Sequence, residues 1–271
     1  VGRAALSRRA GSPAIEPTFF SRYECKYLVD PALVPEIRHY LRPFVRPDEF
    51  AALCAGHRYP ICSLYLDSQD LLLYQQTVSG EKDRFKLRVR TYSDDPASPA
   101  FLEVKSKRNS VVHKRRAGVD RDVARDLLAD RFGDSRGLDA QARDDMDFFR
   151  HHARLIGARP IARVKYVREA YQATGNEPVR ITVDTDLMHA VTLHDALSHE
   201  SGRWTRTPLD GVIIEIKFTE RYPWWVQQFV RTFGLKQQAV PKYVLSLDHL
   251  LLEGRESALT VAGVTLPPRG A

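Results

Sequence analysis

The chain has 271 residues, of which 43% are hydrophobic and 28% charged, a composition that supports a sizeable buried core and excludes a low-complexity chain. Its formal net charge of +7 points to an anionic partner: nucleic acid, phosphate compounds or a membrane surface. Cys25, Cys54 and Cys62 are odd in number and irregular in spacing, which excludes a disulfide framework or a zinc site and suits a reducing compartment.

Residues 1–18 are rich in small residues, Arg and Pro and are expected to form an N-terminal tail. Arg3, Arg8 and Arg9 stand there without the apolar run of a signal peptide, and the chain opens on Val1, from which loss or replacement of an initiating Met is expected. Residues 19–29 read as a strand. Asp30 and Pro31 then supply the N-cap and first position of a helix that runs to about Leu41. A strand over 59–66 and a short helix over 71–78 follow, closed by a turn at Ser79-Gly80. Segments 84–92, 100–107 and 111–119 are strands whose spacing suits antiparallel hairpins, with a loop over 93–99. Amphipathic helices are expected over 122–129 and 140–156, with a break at 157–160. Strands over 161–173 and 179–188 join through Thr174-Gly175-Asn176, and another strand covers 211–219. A helix over 223–233 stops at Gly234, a last helix covers 242–252, and 254–271 form a C-terminal tail. No stretch approaches the roughly 18 apolar residues of a membrane span, and no linker divides residues 19–253, which form one domain.

Five of these strands share a pattern. Charges alternate with apolar residues in Phe85-Lys86-Leu87-Arg88-Val89-Arg90 and in Phe101-Leu102-Glu103-Val104-Lys105-Ser106-Lys107. Arg163 and Lys165 share a face, as do Arg180, Thr182 and Asp184, and Glu215 and Lys217. A period of two places each set on one side of a sheet. One reading is a solvated sheet face. Against it, the positions are mostly Arg and Lys, and like charges across a sheet repel, so an anion between them makes better sense of the pattern. A closed antiparallel barrel of about eight strands, α+β in class with the helices packed outside, would turn these faces inward around a small ligand. Arg and Lys bind phosphate oxygens by charge-assisted bonds, and a divalent ion would complete such a site with Glu215 and Glu103 as its candidate ligands.

Glu24-Cys25-Lys26-Tyr27, Lys86-Leu87-Arg88-Val89-Arg90, Phe101-Leu102-Glu103-Val104-Lys105, Ile214-Glu215-Ile216-Lys217 and Pro241-Lys242-Tyr243, in that order and spacing, resemble the VTC domain. This is the polyphosphate polymerase domain of the vacuolar transporter chaperone type, within the triphosphate tunnel metalloenzymes. The resemblance covers about 19–252. It implies transfer of the terminal phosphoryl group of ATP to a growing polyphosphate chain inside a basic tunnel, with ATP and polyphosphate or pyrophosphate as ligands. By motif matching it implies that Lys26, Arg88, Arg90, Lys105, Lys114, Arg163, Arg180 and Lys242 contact phosphate, with Lys165 and Lys217 on the same faces. It further implies that Glu215 holds Mn²⁺ or Mg²⁺. Where the tunnel hydrolases begin with Glu-x-Glu-x-Lys, this chain has Arg22-Tyr23-Glu24-Cys25-Lys26. The missing carboxylate tilts the reading from two-metal hydrolysis toward the polymerase. A triphosphatase or short-chain polyphosphatase, and a non-catalytic module binding polyphosphate or inositol phosphates, are the alternatives. The expected location is cytoplasmic, with association to a membrane through a protein partner.

Other features read as structural. His151, His152, His189, His194 and His199 lack metal-ligand spacing and are expected at the surface. Trp224, Trp225, Phe229 and Phe233 at helical spacing are expected to be core. The basic run 111–116 accompanies no RNA-binding motif, and no nucleic-acid partner is expected.

Overall fold

The computed structural model describes residues 22–109, 111–129, 137–175, 177–192, 197–219 and 221–252. The expected tails, strand positions 19–21, Asn176 and His194 lie outside the described residues. Alternating apolar residues build a ten-stranded antiparallel sheet. Its strands are β1 (Arg22–Val29), β2 (Val45–Pro47), β3 (Arg58–Asp67), β4 (Arg84–Thr91), β5 (Ala100–Arg108), β6 (Val111–Val119), β7 (Arg159–Ala173), β8 (Arg180–Val191), β9 (Thr205–Arg206) and β10 (Val212–Thr219). The helices are α1 (Val34–Leu41), α2 (Leu72–Val78), α3 (Arg121–Leu128), α4 (Ala140–Leu155), α5 (Trp224–Thr232) and α6 (Lys242–Leu252). The Asp30 carboxylate accepts from the Ala32 amide at 2.8 Å and caps a short 3-10 turn that leads into α1. β2 and β9 are too short for a periodic signal and were not expected from the sequence.

The strands run in the order β1-β10-β8-β7-β3-β4-β5-β6, so β1 and β6 are edges and the sheet is not closed into a barrel by backbone hydrogen bonds. This corrects the expectation of a closed barrel, and the cause is local. The outer edge of β1 is met by the segment before α6: the Gln238 amide donates to the Lys26 carbonyl at 3.0 Å, and Tyr27 bridges Gln237. The sheet nonetheless curls far enough for Lys105 on β5 to reach Glu24 on β1 at 3.1 Å, so side chains join the two sides where backbone does not.

Apolar side chains on the convex face pack under helices. Tyr27, Val29, Ile181, Ile214 and Ile216 meet Val34, Ile37 and Leu41 of α1 and Trp225, Val226 and Phe229 of α5. Leu87, Val89, Leu102, Val104 and Ala117 meet Ala124 of α3 and Met146 and Phe149 of α4. α6 breaks the expected pattern of helices outside the sheet. Its Tyr243, Leu247 and Leu250 pack with Ile61, Tyr65, Ala162, Val164 and Tyr166, which lie on the concave face. These positions are apolar where their neighbours are charged, and a hydrophobic helix is what covers them. The Asp67 carboxylate fixes α6 from inside. It accepts from the amides of Ser68, Leu73 and Tyr74, capping α2, and from the Tyr243 hydroxyl at 3.0 Å.

Candidate functional site

Cross-strand partners share a face of an antiparallel sheet, so register decides which charges meet. Lys26 stands opposite Glu215, Glu24 opposite Lys217, and Lys217 opposite Arg180. Arg168 stands opposite Asp184 on one side and Tyr59 on the other. Ser63 stands opposite Arg90, Tyr65 opposite Arg88, Arg88 opposite Glu103, and Glu103 opposite Arg116. Lys86, Lys105 and Lys114 complete one continuous row. All of these lie on the concave face, and Lys242 enters from the start of α6 to meet Asp184 at 2.8 Å.

The face divides into three groups. At its centre Glu103, 1% exposed, is gripped by Arg88 and Lys114, both at 2.6 Å, with Arg116 at 3.4 Å and Arg90 at 4.0 Å. Burial pushes the Glu103 carboxyl up, but Arg88, Arg90 and Lys114 outweigh it and hold the group ionised well below the usual carboxylate range. Tyr65 and Tyr166 lie against the guanidiniums of Arg88 and Arg90, at 3.3 and 3.5 Å. Burial raises the Tyr65 phenol, yet Arg88 and Arg90 bring it down to about 8. In the second group Arg168 forks onto Asp184 at 2.6 and 2.8 Å, and Lys242 binds the same carboxylate. Desolvation opposes ionisation of Asp184, but Arg168 and Lys242 keep its pKa at about 2.

The third group is a lysine cluster. Glu24 sits among Lys26 and Lys105, each at 3.1 Å, and Lys217 at 3.8 Å, while Lys217 also meets Glu215 at 2.6 Å. Glu215 is held far below the usual range; burial works against this, and Lys217, Lys26 and Lys242 override it. Lys86 forms no ion pair among the described residues: burial, then Lys26 and Lys105 beside it, bring its pKa down to about 8 despite Tyr65. Burial brings Lys114 to about 8 as well, with Arg88 and Arg90 offsetting the pull of Glu103. Cations outnumber carboxylates along the face, with Lys86, Lys105 and Lys114 in one row and Glu24, Glu103, Asp184 and Glu215 shared among the rest. Two surface depressions beside α5, lined by Tyr27, Tyr222 and Gln237 and by Trp224, Gln228 and Thr232, lie away from these charges.

The structure therefore brings together Lys26, Arg88, Arg90, Lys105, Lys114, Lys217 and Lys242. Arg180 belongs to the same face but turns to Asp48 at its rim, at 2.8 Å. Arg163 and Lys165 do not join. They stand opposite Leu64 and Cys62, on the convex face. There Arg163 donates to the Ser198 carbonyl at 2.9 Å and the Ser201 hydroxyl at 3.1 Å, Lys165 donates to the His199 carbonyl at 3.1 Å, and both lie over Trp204. The concave-face cation of β7 is Arg168, which charge alternation alone does not single out, and Lys86 joins the same face. The expected metal pair is also rearranged. Glu103 is committed to its cations, and the described residues hold no group of three or more metal-ligating His, Cys, Asp or Glu. Glu215 instead neighbours Glu24, whose ionisation it opposes after burial, and the buried Thr182 hydroxyl opposite Glu215 has no hydrogen-bond partner among the described residues. His189 and His199 are buried rather than at the surface, bonded to Thr207 and Thr91. Trp225 and Phe229 are core, but Trp224 is 64% exposed.

The VTC domain model matches residues 21–251. Vacuolar transporter chaperone complex subunit 4 of Schizosaccharomyces pombe is 24% identical, over 83% of this chain and 36% of its own length, so the chain spans about a third of that curated relative. Among solved structures, a candidate adenylate cyclase from Bacillus halodurans is similar at a TM-score of 0.46 and 13% identity, covering 80% of this chain and 91% of that one. A candidate adenylyl cyclase from Hippeastrum, described as having a dominant triphosphatase activity, is similar at 0.47 and 14%, covering 84% and 96%.

Proposed function

The chain belongs to the VTC domain family, and on that premise we propose that it is a polyphosphate polymerase, transferring the terminal phosphoryl group of ATP to a polyphosphate end on the concave face. The observation that carries this reading is the surplus of cations over carboxylates on that face, where Lys26, Lys86, Arg88, Arg90, Lys105, Lys114, Arg116, Arg168, Lys217 and Lys242 share the surface with Glu24, Glu103, Asp184 and Glu215. Phosphoryl transfer asks little covalent chemistry of a protein; positioning and neutralisation do most of it. Arg88, Arg90 and Lys114 hold the triphosphate of ATP, and Lys26, Lys86, Lys105 and Lys217 align the acceptor chain. The acceptor's terminal oxygen forms a bond to the γ-phosphorus as the bond from that phosphorus to the β–γ bridging oxygen breaks, and ADP leaves with the electron pair. The acceptor oxygen is already anionic, so no general base is required.

A divalent ion fits next to Glu215. Glu24 and Glu215 are ionised oxygen donors on adjacent strands, and the unpartnered Thr182 hydroxyl lies beside them. Two carboxylates leave room for phosphate oxygens to complete a hard-ion shell. When bound, Mn²⁺ or Mg²⁺ would supply neutralisation of the transferred group. Glu103 has no part in that set, because its oxygens are taken by Arg88 and Lys114.

The same ion pairs favour a second reading, a module that binds polyphosphate without turnover, because Glu215 is already satisfied by Lys217 at 2.6 Å. Incubation with ATP and Mn²⁺ followed by gel detection of polyphosphate separates the two. Absence of product under conditions where ATP binds leaves the binding module. Formation of product that is lost in Glu215→Gln, with triphosphate binding retained, supports the polymerase. Association with a membrane would need a partner protein or another segment, since no helix among the described residues is long and apolar enough to cross one.

A further inference from the structure

The concave face is chemically unequal along its length. The cross-strand partners of Lys26, Lys86, Lys105 and Lys217 are Lys, Glu and Arg, and the ring that neighbours this row is the buried Tyr65. At the opposite end, the start of β5 and the end of β6 place Phe101 opposite Arg90 on one side and Gly118 on the other. The guanidinium of Arg116 lies 3.7 Å from the centroid of Phe101, and donates to the Tyr92 hydroxyl at 3.2 Å. Tyr92 packs edge-on to Phe101 at 5.6 Å, and Phe50 meets Tyr92 at 5.5 Å and Tyr59 at 4.6 Å. Only Tyr59 of these rings is buried; Phe50 is 46% exposed, and the Arg116 side chain is 36% exposed.

The exposed Phe50 and the half-buried Tyr92 and Phe101 around a planar guanidinium form a surface that suits a flat heteroaromatic ligand, since stacking on Phe, Tyr or Arg tolerates any base. This surface adjoins the phosphate-binding cations directly: Arg90 is the cross-strand partner of Phe101, and Arg116 also reaches Glu103 at 3.4 Å. A bare polyphosphate has no use for rings, whereas a nucleoside triphosphate has a base at one end and phosphates at the other. We propose that Phe50, Tyr92, Phe101 and Arg116 form a shelf for the nucleobase of the triphosphate donor, so that the donor enters at this end and the growing chain lies toward the lysines. This rests on the reading of the face as a triphosphate site and assigns its direction.

The test compares two ligands that share a triphosphate and differ in the nucleoside. Binding of ATP and of inorganic tripolyphosphate to the full chain is measured by titration calorimetry for the wild type, Phe50→Ala, Tyr92→Leu and, as a control, Trp224→Ala. The expected result is that Phe50→Ala and Tyr92→Leu each weaken ATP by about tenfold and leave tripolyphosphate within about twofold, while Trp224→Ala alters neither. Equal loss of both ligands would make the rings mere supports for Arg116, and unchanged ATP affinity would remove the shelf; either overturns the proposal while leaving the triphosphate site standing. Failure of the folded wild type to bind tripolyphosphate would overturn the underlying reading and the shelf with it. Phe50 is exposed and outside the strands, so its truncation tests the shelf even if Tyr92→Leu fails to fold.

Discussion

β7 carries cations on both of its faces within six residues. Arg163 and Lys165, on its convex face, donate to carbonyl oxygens of residues 198–199 and are covered by Trp204. Arg168, on the concave face, is neutralised by a forked carboxylate that it shares with Lys242. Carbonyls satisfy a guanidinium's hydrogen bonds without cancelling its charge, which suits a fixed clamp on a loop. A carboxylate shared between cations cancels part of a field while leaving donors that an incoming anion can recruit. Burial alone therefore does not mark a ligand-binding arginine; the company of other cations around a carboxylate does.

The comparison can be broken by mutation. Arg168→Ala leaves Asp184 buried with Lys242 as its remaining ion-pair partner, and unfolding in urea is expected to show a loss of about 3–5 kcal/mol. Arg163→Ala removes the clamp on residues 198–201, and the expected loss is about 1–3 kcal/mol, with tripolyphosphate affinity unchanged in calorimetry. Arg90→Ala reverses that signature, weakening tripolyphosphate by about tenfold, the loss of one charge-assisted bond. If Arg163→Ala weakens the anion as much as Arg90→Ala, the division between the faces fails.

A smaller effect comes from pH. Lys86 titrates at about 8 when folded, well below its ordinary value. Between about pH 8 and 10 the unfolded chain keeps this proton while the folded chain has released it, so stability rises with pH in that window. Tripolyphosphate affinity moves the other way, falling several-fold as pH passes through 8, because the anion favours the charged lysine. Lys86→Met removes this part of both slopes, as titrations across the window would show. Lys114 contributes less to either slope, since its side chain is 42% exposed.

Much of this was legible in the sequence, and the failures have physical causes. Period two correctly paired Arg88 with Arg90 and Arg180 with Asp184, because alternation is a property of one strand. It could not tell which parity of β7 looks inward. The run Arg163-Val164-Lys165-Tyr166-Val167-Arg168 charges both parities, and only the register against β3 assigns Tyr166 and Arg168 to the site. Lys242 entered through family resemblance alone, since its helix has no charged stripe. Closure of the barrel depended on whether β6 or Gln237 and Gln238 would take the free edge of β1, a competition that neither strand records in its own sequence.

The seam that remains has its own consequence. Along one line the wall is fastened by Lys105 and Glu24 rather than by amides. Such a fastening is a latch: the lysine can exchange its carboxylate for a phosphate without breaking any backbone pairing. On the function proposed above, a long polyanion would not need to be threaded by its end, because exchange of Glu24 for phosphate on Lys105 would part the wall along this line.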